Sequence, residues 1–222
     1  MRIVGFCHCE PESARVWQSR KNLYFMELII VRHGETFENR DGISQGHLNS
    51  QLTPKGVEQV KKIAQRLKDT MIDIAFTSDL DRASDTCKEI LKFHEDVIPV
   101  VTPVLREQAK GIFEGKTKQE RSAMYKKEGV PFYEWHPEGG ERLTDVWDKV
   151  IRLIETIRRD NPDKNVLLVS HGGPISCMLA YLHGKGIESV GDYVPKENTA
   201  ISIVDIEDKK VAFDVLNCSA HL

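Results

Sequence analysis

Three short apolar runs in this sequence end in residues able to handle an anion. Residues 28–31 lead into Arg32-His33-Gly34-Glu35-Thr36, and residues 166–169 lead into Ser170-His171-Gly172-Gly173-Pro174. Residues 74–77 lead into Ser78-Asp79-Leu80-Asp81-Arg82. A Gly-rich turn opening a helix presents free backbone N–H groups and the positive end of the helix dipole, which suits an anion. Guanidinium is a permanently charged planar fork that matches phosphate oxygens, and imidazole titrates near neutrality. Two arginines and two histidines gathered at one edge would repel one another. A doubly negative phosphate among them removes the conflict.

That convergence requires the runs to be neighbouring strands whose carboxyl ends share an edge, where ligands of open α/β sheets bind. The hydropathy pattern agrees. Residues 27–31, 74–77 and 166–169 read as buried parallel strands. Thr53-Pro54 caps and opens a helix, along which Val57, Val60, Ala64 and Leu67 mark one face. A second helix buries Ala83, Cys87, Ile90 and Leu91. Residues 98–104 read as extended. Leu143, Val146, Val150, Ile154 and Ile157 stripe a long helix ended by Asn161-Pro162-Asp163, and another helix begins at Pro174. Residues 200–204 and 211–215 read as a terminal pair around the charged turn at 207–210. Strands alternating with helices predict a three-layer α/β/α fold, the sheet mostly parallel with one terminal antiparallel strand. Residues 111–140 break the alternation and are expected to form an excursion over one end.

The 222 residues carry 31 Lys plus Arg against 34 Asp plus Glu, a net charge of −3. That balance lacks the footprint of a general nucleic-acid binder. The apolar runs are too short to span a bilayer. Five cysteines, an odd number, fit a reducing compartment better than a disulfide scaffold. Cys7-His8-Cys9 has no second pair at metal-ligand spacing, so no metal is expected. Residues 1–25 carry a net +2 and leave −5 on residues 26–222, the expected catalytic domain. The leading segment has no apolar core of secretory length. A cytoplasmic location is expected; a mitochondrial presequence stays open, although two acids interrupt the segment. Monomer and homodimer both stay open.

Arg32-His33-Gly34-Glu35-Thr36 with Asn39, Thr77 to Leu80 with Arg82, Ala83 and Thr86, Leu105-Arg106-Glu107, and Ser170-His171-Gly172 resemble, in order and spacing, the histidine phosphatase superfamily that includes the cofactor-dependent phosphoglycerate mutases. Leu105 to Glu107 followed by Gly111, Glu114-Gly115-Lys116 and Pro137 to Glu141 resemble its TIGAR-type fructose-2,6-bisphosphatases most closely. The resemblance implies that His33 is the nucleophile, that Arg32, Arg82 and His171 hold the phosphoryl oxygens, and that Glu107 is the acid and base. It also implies that Asn39, Gln45, Gly46 and Gly172 contact the phosphate, that no cofactor is needed, and that the partner is a small phosphorylated metabolite such as fructose 2,6-bisphosphate or another sugar or glycerate bisphosphate.

Departures from the family pattern bear on specificity. Gln108 stands where an arginine usually follows the acid, Asn49 and Gln51 replace an Asp and a Pro, and Ser176 stands where arginine is frequent. Arg142 is set against two readings: an outer cation for a second phosphate, or a solvated residue at a helix start. His47, His94, His136, His183 and His221 read as structural or solvated, and Trp135 and Trp147 as core. Lys116, Lys118, Lys126 and Lys127 read as a solvated face within the excursion. A mutase, or a silent domain that binds a phosphorylated ligand, are the competing functions. The mutase lacks its expected insertions here, and the silent domain should have lost a site residue.

Overall fold

The computed structural model describes residues 25–208 and 210–222; the expectations for Cys7-His8-Cys9 and the rest of residues 1–24 lie outside them. Six strands form one sheet: β1 (Phe25–Arg32), β2 (Ile74–Thr77), β3 (Val100–Val101), β4 (Asn165–Ser170), β5 (Ile201–Glu207) and β6 (Lys210–Cys218). Their spatial order is β3-β2-β4-β1-β5-β6. β1, β2, β3 and β4 pair in parallel, and β5 runs antiparallel to both β1 and β6. β1 begins two residues before the expected strand and pairs Phe25 with Glu207.

The two faces follow from the alternation of side chains along each strand. Met26, Leu28 and Ile30 of β1 pack with Val166 and Leu168 of β4 under α5 (Leu143–Asp160) and α6 (Gly172–Leu182). Ile29 and Val31 pack with Leu167 and Val169 under α2 (Pro54–Leu67) and α3 (Asp81–Leu91). All six residues of β4 are buried, as a central strand covered on both faces requires. The five predicted apolar positions of α5 are all buried. Removing any of them from water contributes roughly 2 kcal/mol.

Capping works as the sequence implies at α2, where the Thr53 hydroxyl accepts from Gly56 N–H at 2.9 Å. Three expectations fail locally. Val57 is exposed, and Ile63 joins Val60, Ala64 and Leu67 in the core, because the helix face turned to the sheet is centred nearer 63. The extended stretch at 98–104 reduces to two paired residues and a 3-10 turn at Pro103–Leu105; Ile98 is exposed and Pro103 donates no strand hydrogen bond. α6 starts at Gly172, two residues before Pro174, with His171 as its N-cap.

The excursion holds a 3-10 turn at Gly111–Phe113 and α4 (Lys118–Glu128), which Thr117 and Glu120 cap reciprocally. Isolated bridges Ile43–Thr117 and Lys110–Gly140 tie it to the loops around the sheet edge. Trp135 packs on Phe113 and Tyr125, and Trp147 lies edge-on to Tyr181, so both are packing residues.

Candidate active site

Register delivers the site. Val31 pairs with Val169, and Val169 pairs with Thr77, so β1, β4 and β2 end level at one edge. His33, His171 and the loop to Arg82 leave the sheet there. Backbone bonds fix the first of these on both sides: His33 N–H donates to Ser170 O at 3.0 Å, and His33 O accepts from Thr199 N–H at 3.2 Å and Asn198 Nδ2 at 3.0 Å. Gly34 N–H donates to the Thr86 hydroxyl at 3.1 Å, joining this loop to α3.

His33 is buried, and its Nδ1 lies 2.7 Å from Gly34 O. A carbonyl only accepts, so Nδ1 carries the proton and Nε2 keeps the lone pair. Burial, Arg82 and Arg32 hold the His33 pKa well below its ordinary value, keeping the ring neutral. The His171 ring stands 5.1 Å away, inclined at 54°, also fully buried and held neutral by burial, Arg82, His33 and Arg32.

Both arginines are braced by backbone carbonyls. Arg82, 1% exposed, donates from Nη1 to Leu48 O at 2.8 Å and from Nη2 to Gly46 O at 2.9 Å. Arg32 donates from Nη1 to Pro195 O at 3.0 Å and Lys196 O at 3.2 Å. Burial lowers both guanidinium pKa values, that of Arg82 to about 10, which leaves Arg82 charged at neutral pH. Arg32 Nε, Arg82 Nε and both nitrogens of His171 are buried and have no partner among the described residues. Each such group costs about 1–3 kcal/mol, and their concentration around His33 marks where an oxyanion would be bound.

Glu107 is anchored at this edge by two backbone donors, Gln108 N–H at 2.8 Å and Gly173 N–H at 3.3 Å. Burial pushes its carboxyl up. Lys110, these N–H groups and Arg82 outweigh that and hold it below the ordinary value. The N-terminus of α6 thus serves the carboxylate through Gly173 while Gly172 lies beside it.

Other expected contacts take different roles. Asn39 Oδ1 accepts from Thr36 N–H and Asn198 Nδ2, so Asn39 fixes the loop as the reciprocal partner of Thr36, the N-cap of α1 (Phe37–Arg40). Gly46 presents its carbonyl to Arg82, and its φ of +52° suits glycine. Gln45 is buried beside it with Oε1 unpartnered among the described residues. Arg142 is exposed and bound to Asp145 at the start of α5, at 2.9 Å, so it supplies no outer cation to the site. Ser176 donates to Gly172 O at 2.6 Å within α6, and Asn49 Oδ1 accepts from Asp81 N–H at the start of α3.

The outer cations come from residues that the pattern did not mark. Lys110 is half-buried, bonds Gln108 Oε1 and lies close enough to Glu107 for the two charges to shift each other; burial lowers its pKa to about 8. Arg121, which no motif marks, lies on α4 within the field of Glu107; Lys118 is exposed, as expected of a solvated face, and still lies within the fields of Glu107 and Arg32. Lys116, Lys126 and Lys127 are exposed as expected. His47 also belongs at the rim, its Nε2 2.9 Å from Glu107 O. The irregular excursion has no periodicity from which these placements could be read. Among the described residues no cluster of three His, Cys, Asp or Glu side chains could hold a metal, and no helix is long and apolar enough to cross a membrane.

The fold and this edge define an α/β protein whose strand ends set two neutral histidines among braced arginines. The chain belongs to the histidine phosphatase superfamily (branch 1), whose model matches residues 28–219. It is 31% identical over 204 residues to the metal-independent phosphoserine phosphatase of Arabidopsis thaliana, covering 88% of this chain and 83% of that one. A broad-specificity phosphatase of Saccharomyces cerevisiae is 32% identical over 198 residues, covering 83% and 82%. The crystal structure of a putative alpha-ribazole-5'-P phosphatase from Escherichia coli superposes with a TM-score of 0.80 at 29% identity, over 88% of this chain and 97% of that one. These three are thus phosphatases by name, two of them of small phosphorylated metabolites.

Proposed function

We propose that this protein is a phosphomonoester hydrolase that works through a phosphohistidine at His33. The observation that carries the reading is the neutral His33 ring, its Nδ1 proton directed at Gly34 O, beside Arg32, Arg82 and His171 with donors unsatisfied among the described residues. In the first step the Nε2 lone pair forms a bond to phosphorus as the ester P–O bond breaks. The departing alkoxide takes a proton from Glu107. In the second, water attacks phosphorus, gives its proton to the Glu107 carboxylate, and the N–P bond breaks to release inorganic phosphate. Glu107 is ionised in the free site, as the second step needs. A bound phosphate dianion raises its pKa toward the protonated form that the first step needs. The two guanidinium groups and the His171 ring stabilise the equatorial oxygens, the charge-neutralising task that fixed dipoles and cations perform in phosphoryl transfer.

The outer cations support a substrate class. Among the described residues, Lys118 and Arg121 make no side-chain hydrogen bond or ion pair, and Lys110 is bonded only to the neutral Gln108 amide. Three cations around the leaving-group side of Glu107 favour a metabolite with a second anionic group, and a sugar bisphosphate such as fructose 2,6-bisphosphate meets that requirement.

A panel of phosphorylated metabolites assayed with a chelator present tests this reading, with His33→Ala as the comparison. The expected result is bisphosphate turnover in the wild type, a phosphoenzyme trapped by rapid denaturation at alkaline pH, and loss of both in the variant. Turnover that survives in His33→Ala would falsify the mechanism. A wild type equally fast on neutral-tailed monophosphates would remove the substrate class.

A further inference from the structure

Behind the nucleophile lies a hydrogen-bonded chain that the reaction itself does not use. Thr199 is fully buried, with a φ of +58°, a left-handed conformation that costs a β-branched residue of the order of 1–3 kcal/mol. In that conformation its N–H reaches His33 O at 3.2 Å, and the side chain of Asn198 reaches the same carbonyl at 3.0 Å. Something must hold the strained residue in place. The Thr199 hydroxyl donates to Asn198 O at 2.7 Å, and its oxygen lies 3.1 Å from Nε2 of His221, in the turn after β6. His221 Nδ1 lies 3.2 Å from Arg66 Nη1, a group that only donates. Nδ1 therefore accepts and Nε2 carries the proton. The direction of the whole chain is then fixed: Arg66 to His221, His221 to the Thr199 hydroxyl, and that hydroxyl to Asn198 O.

We propose that His221 is a positioning residue for the nucleophile, locking Thr199 and Asn198 in the conformation that clamps the His33 carbonyl and so fixes the line of attack of His33 Nε2. The role requires a neutral ring, since a second proton would point an N–H at the Arg66 guanidinium. Burial, then Arg66 and Lys62, push the His221 pKa down to about 4, so the chain persists throughout the neutral range. A strained residue beside a reacting group persists only where its surroundings over-determine it, and displacement of a reacting atom by an ångström can cost about a hundredfold in rate.

The inference rests on His33 being the phosphoryl acceptor, and the test separates the two claims. Turnover of 4-nitrophenyl phosphate is measured for the wild type and for His33→Ala, His221→Ala, His221→Gln, Thr199→Ala and the Thr199→Ala/His221→Ala double variant, each below its own thermal midpoint. His221→Ala should lower kcat about tenfold with KM within about twofold, the signature of an interaction that acts on the reacting geometry. Glutamine can donate to Thr199 and accept from Arg66, so His221→Gln should recover to within about threefold of the wild type. The double variant should be no slower than Thr199→Ala, because both changes break one chain. Unchanged kcat in His221→Ala, no recovery with glutamine, or additive losses would each overturn the positioning role. Turnover retained in His33→Ala would instead overturn the hydrolase reading.

Discussion

His33 and His171 face each other with ring centroids 5.1 Å apart, yet only one of them has a fixed proton. Gly34 O accepts a hydrogen bond from His33 Nδ1–H, whereas both nitrogens of His171 are buried without a partner among the described residues. Chain position alone makes the two histidines look equivalent. The hydrogen-bond pattern tells them apart, and that difference supports the proposed roles of nucleophile for His33 and oxyanion donor for His171.

Arg82 joins binding to architecture. Its distal nitrogens hold the carbonyls of Leu48 and Gly46, so lysine, with no fork, cannot replace it. Arg82→Lys is expected to lower kcat at least about a hundredfold. It should also cost about 1–3 kcal/mol in chemical denaturation, since two carbonyls lose a charged donor.

Lys110 should make substrate preference depend on pH. Its pKa is pushed down to about 8, so it is charged below that pH and neutral above it. Glu107, Arg121, Glu141 and Cys177 are the groups whose charges act on it. The ratio of kcat/KM for a sugar bisphosphate to that for the matching monophosphate should fall as pH rises through about 8. In Lys110→Met the ratio should be lower and flat from pH 7 to 9. Identical profiles in the two proteins would refute this.

Gly34 is pinned by packing. A Cβ there would meet Val60 Cγ2 at 2.5 Å and Gly56 O at 3.0 Å, where the loop after β1 presses on α2. Gly34→Ala should cost about 1–3 kcal/mol through overpacking. It should also slow turnover, because α2 and the loop carrying His33 cannot both keep their places. A thermal midpoint equal to that of the wild type would refute it.

Glu27 governs an acid-side trend in stability. Burial, with Asp205 and Asp214 nearby, raises its carboxyl from 4.5 to about 7. A carboxyl whose folded-state pKa lies above its unfolded one adds stability at low pH, and that contribution is lost as pH rises from 4.5 to about 7. Glu27→Gln, neutral at every pH, should therefore melt higher than the wild type at pH 8 and level with it near pH 4.5. An equal difference at both pH values would show that ionisation is not the cause.

How much of this was legible depended on whether a residue obeyed a period or a contiguous motif. The α5 stripe from Leu143 to Ile157 and the fully buried β4 could be read because a regular element repeats its environment every 3.6 or 2 residues. Arg32, His33, Arg82, Glu107 and His171 could be named because contiguous sequence at the ends of strands carries them. Val57 was misplaced because a helical stripe defines a face only to within about a residue, and packing against the sheet chose Ile63 instead.

By itself the sequence determined the sheet, its coverage on both faces, and the residues that strand ends deliver to one edge, since short-range pattern suffices for each. Tertiary structure alone decided what each side chain does there. Arg142 was drawn to Asp145, while Lys110, Lys118 and Arg121 came within the field of Glu107 from loop and helix positions that no hydropathy stripe marks. It also set His221 behind Thr199, 22 positions along the chain, and through it behind His33. Hydrogen-bond direction, burial and the field of neighbouring charges are properties of three-dimensional placement, and no spacing along the chain encodes them.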